Sequence, residues 1–178
     1  MQAPSLVFSR LDLLAAAPNV GGLMVLCEEN YGALMRLAPA LPRLHGRLRS
    51  QPEGRAELLL TMVEQSPYTS TLRLTHLLPT AGASSQPPSG QQSSRQPPSE
   101  PDALLRAYHD AGQVEVLSLR QTVLPVLSHY ERPALAAKWR ANLFVSKWLG
   151  YCLREGHGFP ASASATLAGE QFELLPST

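Results

Sequence analysis

The chain has 178 residues, a length that fits one domain, and 44% of its residues are apolar, which is enough to build a core. Its 15 Lys and Arg residues nearly balance its 14 Asp and Glu residues, for a formal net charge of +1. This balance argues against a nucleic-acid-binding surface and provides no polybasic patch for anionic lipids.

The cysteines and the apolar runs predict the cellular compartment. Cys27 and Cys152 lie in predicted helices, and neither has the spacing of a metal site or a redox pair. Disulfide scaffolds have more cysteines in shorter chains, so both are predicted to be reduced core thiols. Residues 5–17 are apolar, but Arg10 and Asp12 interrupt them, and no run reaches 18 apolar residues. The chain is therefore predicted to be cytoplasmic, without a signal peptide or a membrane span.

The first half of the chain predicts a helix followed by a β-hairpin. Apolar residues recur at helical spacing from Leu23 to Ala38, and Pro39 ends the pattern. Residues 56–64 and 68–77 are typical of two strands, with a turn at Gln65-Ser66-Pro67 between them. The second of these strands alternates apolar and polar residues, which predicts that one face of a sheet is buried.

The second half repeats this plan in reverse order. Residues 79–101 are dominated by Ser, Gln, Pro and Gly and predict a disordered insertion, because they cannot bury enough surface to become ordered. Residues 103–109 and 113–119 predict a second hairpin, and Gly112 between them can adopt a positive φ. A long helix is predicted from Pro133 to about residue 155.

The predicted order of helix, hairpin, insertion, hairpin and helix indicates the α+β class. We expect an antiparallel sheet of about four strands, with an N-terminal helix and a long C-terminal helix packed on one face. The expected organisation is a single domain over residues 1–158, interrupted at 79–101, with a flexible tail at 159–178.

Four ordered blocks of this sequence resemble the YqiB-like proteins, a family of small uncharacterised bacterial proteins. The blocks are Leu23 to Tyr31, Val63 to Thr69, Tyr108-His109-Asp110-Ala111 with Glu115-Val116, and a terminal helix with Lys138, Asn142, Phe144, Trp148-Leu149, Tyr151-Cys152-Leu153 and Gly156. The resemblance implies a short loop where this chain has residues 79–101. It implies no established activity, so a function has to be argued from the residues.

Candidate functional residues gather around the turn of the second hairpin, where Tyr108, His109 and Asp110 adjoin Gly112. Histidine is the side chain that titrates near neutral pH, so this corner is the best candidate for a ligand site or a catalytic site. The full candidate set is Glu28, Asn30, Glu64, Tyr108, His109, Asp110 and Glu115. A structural alternative is that Asp110 caps the turn and that His109 bonds to Tyr108 or to a cross-strand neighbour.

Two functions remain open at this point. The first is a non-enzymatic domain that binds a protein partner or a small ligand, because no nucleophile elbow and no phosphate-binding loop is present. The second is a small hydrolase or nucleotide-processing enzyme centred on the corner at Tyr108-His109-Asp110. It would require the carboxylates of Glu28, Glu64 and Glu115 to lie around the His109 ring.

We expect no cofactor, no metal and no membrane partner. Glu28, Glu64, His109 and Glu115 include carboxylate and imidazole ligands, but no two of them have a tight metal-ligand spacing. Nucleic-acid binding is the least favoured function. It would require that one face of the protein carry Arg36, Arg43, Arg47, Arg49 and Arg55. We interpret the segment that contains these arginines as a solvated connector instead.

Overall fold

The computed structural model describes residues 17–77, 99–121 and 134–160. The elements in chain order are helix α1 (Val20–Leu37), a 3-10 helix (Leu41–Arg43), strands β1 (Arg47–Ser50), β2 (Glu57–Ser66), β3 (Thr69–Leu77), β4 (Ser99–Tyr108) and β5 (Gln113–Arg120), and helix α2 (Leu135–Arg154). The strands form one antiparallel sheet in the order β1-β2-β3-β4-β5. The predicted α+β class is confirmed.

The sheet has one strand more than the four predicted. Strand β1 lies inside the arginine-rich segment that the sequence suggested was a connector. Its Leu48 and Ser50 are buried, while Arg47 and Arg49 point to solvent, so the strand has the alternation of a half-buried edge. Four residues with two arginines give too short a pattern to identify as a strand. The strand is instead defined by its pairing with β2, in which Leu48 lies opposite Leu60, and the local sequence does not show this pairing.

Local signals mark the start of α1 and the end of α2. Asn19 caps α1, and its side-chain oxygen accepts a hydrogen bond from the Gly22 backbone N–H at 2.8 Å. Helix α1 therefore begins at Val20, three residues before the predicted start, and Gly22 lies inside it. Helix α2 ends just before Gly156, whose φ of 83° is the left-handed conformation that glycine adopts most easily after a helix.

The core lies between the helices and one face of the sheet. Strand β3 shows the predicted alternation, since Leu72 and Leu74 are fully buried and Arg73 between them is exposed. After α2 the chain turns back, and the backbone N–H of Phe159 donates to Leu37 O at 2.7 Å. The Phe159 side chain is 1% exposed, so this turn closes the core at the C-terminal ends of both helices.

Parts of the predicted organisation lie outside the described residues. Strand β4 begins at Ser99, so residues 99–101, assigned to the insertion, belong to the sheet. Residues 79–98 and most of the tail are not described, and the single-domain boundaries stay a prediction. Among the described residues, no helix combines the length and apolar character needed to cross a membrane.

Candidate functional site

A cleft of about 250 Å³ lies between strand β5 and the first halves of α1 and α2, and we call it the β5 cleft. It is lined by Leu23, Met24 and Cys27 of α1, Tyr108 of β4, Gln113, Val114, Glu115 and Val116 of β5, and Lys138 and Asn142 of α2. Pockets for drug-sized ligands usually measure about 300–1,000 Å³, so this cleft suits a small metabolite.

Helical spacing and strand register bring these residues together. Leu23 and Cys27 are four residues apart on α1, as are Lys138 and Asn142 on α2, so each pair shares one helix face. On the sheet, Tyr108 pairs with Gln113, and the next pair on that face includes Glu115. The Tyr108 and Glu115 side chains are therefore diagonal neighbours on adjacent strands.

A carboxylate and an ammonium group lie side by side in the cleft. Tyr108 donates its hydroxyl to Glu115 Oε2 at 3.1 Å, which orients the carboxylate. Lys138 Nζ lies 3.5 Å from Glu115 Oε1, and the two charged side chains are 36% and 41% exposed. An ion pair this long and this exposed contributes little to stability, at most about 1 kcal/mol. Both charges therefore keep capacity for other partners.

The polar floor of the cleft joins the two helices. Asn30 is completely buried, and its Nδ2 donates to Asn142 O at 3.1 Å and to Asn142 Oδ1 at 3.2 Å. Asn142 Nδ2 in turn donates to Lys138 O at 3.0 Å, one turn earlier on α2. The Oδ1 atom of Asn30 has no hydrogen-bond partner among the described residues. Asn30 thus fixes Asn142 beneath the cleft and does not itself line it.

Cys27 faces the cleft as a protonated thiol. Burial raises the pKa of Cys27, the Glu115 carboxylate raises it further, and Lys138 opposes this only in part. The thiol lies 3.7 Å from Asn142 Oδ1, which accepts its weak hydrogen bond. Since the thiolate is the nucleophilic form, this environment disfavours a catalytic cysteine. Cys27 is half-buried, in contrast to the fully buried Cys152, and both are free thiols.

His109 links three elements and has no free ring nitrogen. Its Nδ1 lies 3.2 Å from the Tyr31 hydroxyl of α1, and its Nε2 lies 2.7 Å from Ser70 Oγ of β3. Burial lowers the pKa of His109, and the nearby charge of Asp110 opposes that shift. Asp110 is exposed, and its Oδ1 accepts from the Ala111 backbone N–H at 2.9 Å, within the turn. In this geometry Asp110 caps the turn, and His109 ties the turn to α1 and β3.

The three carboxylates do not gather around His109. Glu64 lies on β2, three strand spacings from Glu115 on β5, which is about 14 Å at about 4.8 Å per strand. Its side chain is 68% exposed and lies 3.9 Å from Arg106 Nη2. Glu28 is exposed on α1, near enough to Cys27 that its charge also raises the pKa of that thiol. Only Glu115 lies in the cleft.

The sequence analysis missed part of this site. Lys138 and Asn142 were named only as part of the family resemblance, and Cys27 was interpreted as a core residue. A signal was nevertheless available, because two polar residues four apart on the apolar stripe of a helix mark a polar contact across that helix. Within the described ranges, no group of three or more His, Cys, Asp or Glu side chains is placed to hold a metal ion.

A second polar cluster lies at the other end of α2. Trp148 Nε1 donates to His76 Nδ1 at 3.2 Å, so His76 is neutral and carries its proton on Nε2. His76 Nε2 has no partner among the described residues, and the His157 ring lies 5.4 Å away between centroids. Burial, and secondarily the charge of His157, lowers the pKa of His76 to about 4. Burial also lowers the pKa of His157.

The five arginines of the segment at 36–55 have different surroundings. Arg49 Nε pairs with Glu57 at 3.2 Å, and Arg55 Nη1 pairs with Glu155 at 2.6 Å. Arg47 donates to Thr61 Oγ1 at 3.5 Å, while Arg36 and Arg43 are exposed near the end of α1 and in the 3-10 helix. Two of the five charges are thus already balanced by carboxylates.

Comparisons with known proteins identify relatives without a known function. A family model described as "Protein of unknown function (DUF1249)" matches residues 33–158, which include the last five residues of α1, the whole sheet and α2. The uncharacterized protein YqiB of Escherichia coli K12 is 29% identical over 144 residues, which cover 78% of this chain and 91% of the relative. YqiB of E. coli O157:H7 gives the same figures. No solved structure matches.

Proposed function

The chain belongs to the DUF1249 family of proteins of unknown function, as its resemblance to the YqiB-like proteins suggested, and we propose that it is a non-enzymatic domain that binds a small molecule in the β5 cleft. One observation carries this proposal. Three elements bring a carboxylate, an ammonium group, a buried amide and an apolar wall to one small concave surface. Small-ligand sites have this composition of mostly apolar walls with a few convergent polar groups.

The side chains that a hydrolase would use have surroundings that favour binding rather than catalysis. His109 does not line the β5 cleft, and the Ser70 hydroxyl that it contacts is completely buried, so this histidine is not placed to act as a general base on a molecule in the cleft. Cys27 is held in its thiol form, and Glu115 is half-exposed beside Lys138. The enzyme centred on Tyr108-His109-Asp110 would need Glu64 nearby, and Glu64 lies across the sheet.

The proposal includes a cytoplasmic location. Two free thiols in a chain of this size favour a reducing compartment, and Cys27 borders an open cleft where an oxidising environment would modify it. We propose neither a membrane nor a nucleic acid as partner, because the formal net charge is only +1 and two arginines of the basic segment are paired.

The test is a screen of small polar metabolites by ligand-detected NMR, with two matched tryptophan variants. Met24 lines the cleft and is 50% exposed, so Met24→Trp fills the cleft from a side chain that already contacts solvent. Val20 lies one turn earlier on the same helix, is 65% exposed and does not line the cleft, so Val20→Trp is the control.

We expect at least one metabolite to bind the wild type and the Val20→Trp variant, and to bind the Met24→Trp variant at least about tenfold more weakly. The ligand should be recovered unchanged after incubation with the protein. Failure of all metabolites to bind, or equal binding to both variants, would overturn the site. Chemical conversion of the ligand by the wild type, and not by Met24→Trp, would overturn the non-enzymatic assignment.

A further inference from the structure

The class of ligand can be argued from the unused hydrogen-bonding capacity of the cleft. A carboxylate has about four acceptor positions. At Glu115, Tyr108 occupies one position on Oε2, and Lys138 makes one long contact with Oε1. With 41% of its side chain exposed, Glu115 can accept further N–H groups from a ligand without giving up the hydrogen bond that orients it.

Lys138 has the complementary capacity. Its ammonium group carries three donors, and its one charged contact within the described residues is the 3.5 Å approach to Glu115. A strong charge-assisted N–H···O bond measures about 2.7–2.9 Å, so this contact leaves the ammonium available to a ligand oxygen. The cleft thus presents an anion and a cation at adjacent positions, each incompletely paired.

Apart from Tyr108, Gln113 and Asn142, the remaining lining is apolar, and its α1 side is accessible. Met24 is 50% exposed and Leu23 is half-buried beside it, while Val116 of β5 is buried. Burying a hydrocarbon side chain of Leu or Met size against these residues would favour binding. A volume of about 250 Å³ limits the ligand to a small metabolite.

We propose that the ligand of the β5 cleft is a free apolar α-amino acid, which rests on the proposed function above. Its ammonium group binds Glu115, its carboxylate binds Lys138, and its side chain packs against Leu23 and Met24. An α-amino acid carries its two charges on one carbon, which suits two protein charges 3.5 Å apart.

A zwitterion fits this site better than an ion of one sign. The Glu115–Lys138 pair is neutral overall, so a neutral zwitterion adds no net charge when it binds. A ligand with only a cation or only an anion would compete with one member of the pair and leave the other member unpaired. Unpaired charges that are partly desolvated are costly.

The experiment measures the affinities of L-leucine and two analogues for the full chain by titration calorimetry at pH 7. 4-Methylpentanoate lacks the ammonium group, and L-leucinamide lacks the carboxylate. We expect L-leucine to bind about tenfold or more tightly than either analogue, since each loses one charge-assisted contact.

Two variants assign each charge to its partner. Glu115→Gln keeps an acceptor for Tyr108 but loses the negative charge, so it should weaken binding of L-leucine and L-leucinamide about tenfold. It should not weaken 4-methylpentanoate, which no longer leaves a carboxylate unpaired. Lys138→Met should weaken L-leucine and 4-methylpentanoate and should not weaken L-leucinamide, for the corresponding reason. Glu64→Gln and Lys147→Met are the controls, because both residues are exposed and lie outside the cleft.

The outcomes separate this inference from the proposed function. Equal affinities for L-leucine and its analogues, or equal losses in the cleft and control variants, would overturn the amino-acid assignment. The amino-acid assignment would also be overturned if a metabolite of another class bound the wild type and lost that binding in the Met24→Trp variant, while L-leucine and L-methionine did not bind. The proposed function would then stand. If no metabolite binds at all, both fail.

Discussion

Gly22 is the residue at which α1 leaves no room for a methyl group against α2. A Cβ atom at this position would lie 2.6 and 2.7 Å from two ring carbons of Trp139. Trp139 is 4% exposed and packs with Leu26, so its ring cannot move aside without opening a cavity. A glycine inside a helix normally costs stability, and here the close approach of the indole ring explains its presence.

We expect Gly22→Ala to destabilise the protein by about 1–3 kcal/mol, because the added methyl group overpacks a closely packed contact. Gly32→Ala is the matched control on the same helix, since a Cβ there would meet no atom within 4 Å. That control should stabilise the protein by up to about 1 kcal/mol through helix propensity. Urea unfolding measures both changes, and a stabilised Gly22→Ala variant would contradict this account.

His76 should make stability depend on pH in the acidic range. In the unfolded chain a histidine binds its proton at about pH 6.5, whereas burial keeps the pKa of folded His76 at about 4. The unfolded state therefore binds more protons between these values. The contribution of the neutral ring to the free energy of unfolding is fully present above about pH 6.5. It is lost as the pH falls towards 4, and the total loss is about 3 kcal/mol.

The test compares the free energy of unfolding at pH 7 and pH 4.5 for the wild type and His76→Gln. Glutamine stays neutral in both the folded and the unfolded state. Between the two pH values, the free energy of unfolding of this variant should therefore fall by about 2–3 kcal/mol less than that of the wild type. His45→Gln is the control, because His45 is exposed. If both variants show the pH dependence of the wild type, His76 is not the group responsible.

At the level of secondary structure elements, the turn after β4 is a junction rather than an isolated loop. His109 bonds with Tyr31 of α1 through one ring nitrogen and with Ser70 of β3 through the other, and its backbone N–H donates to Tyr68 O at 2.9 Å. Because the side chains of Tyr108 and His109 leave a strand in opposite directions, Tyr108 joins the cleft while His109 ties α1 to the sheet.

His109→Ala should therefore lower stability by about 1–3 kcal/mol, the loss of two partly buried hydrogen bonds and their packing. Ligand affinity in the β5 cleft should change less than about threefold. Asp110→Ala, an exposed neighbour, should cost less than about 1 kcal/mol in the same unfolding assay. An unchanged stability combined with lost ligand binding would instead make His109 a ligand-contacting residue.

The elements were predictable where the sequence repeats over several turns or strand pairs. Both helices and the strands β2 to β5 follow from apolar periodicity and from turn residues such as Gly112, with boundaries that differ by a few residues. Strand β1 was missed because two inward residues, Leu48 and Ser50, are too few to define a period. The cleft was missed for another reason, since Glu115 and Lys138 meet only when strand and helix pack, and no local pattern encodes that distance.

At the level of the whole molecule, the ends of β3 and β4 that border residues 78–98 lie far from the cleft. Leu77 at the end of β3 lies opposite Ser99 at the start of β4, so the join needs only a hairpin turn. Tyr108 is at the other end of β4, nine residues further, which is about 30 Å at about 3.4 Å per residue. The pairing of β3 with β4 thus sets the register that builds the cleft.

Replacing residues 78–98 with a four-residue turn containing Asn-Gly should therefore preserve both fold and binding. Closing a loop of about 4 instead of about 21 residues costs less chain entropy, so we expect a gain of up to about 1.5 kcal/mol in unfolding free energy. Ligand affinity should match that of the full chain, and a second variant with a 20-residue Gly-Ser loop controls for length alone. A loss of stability or affinity in both variants would mean that side chains of 78–98 contact the domain, which would overturn the interpretation of this segment as an insertion tolerated between two paired strands.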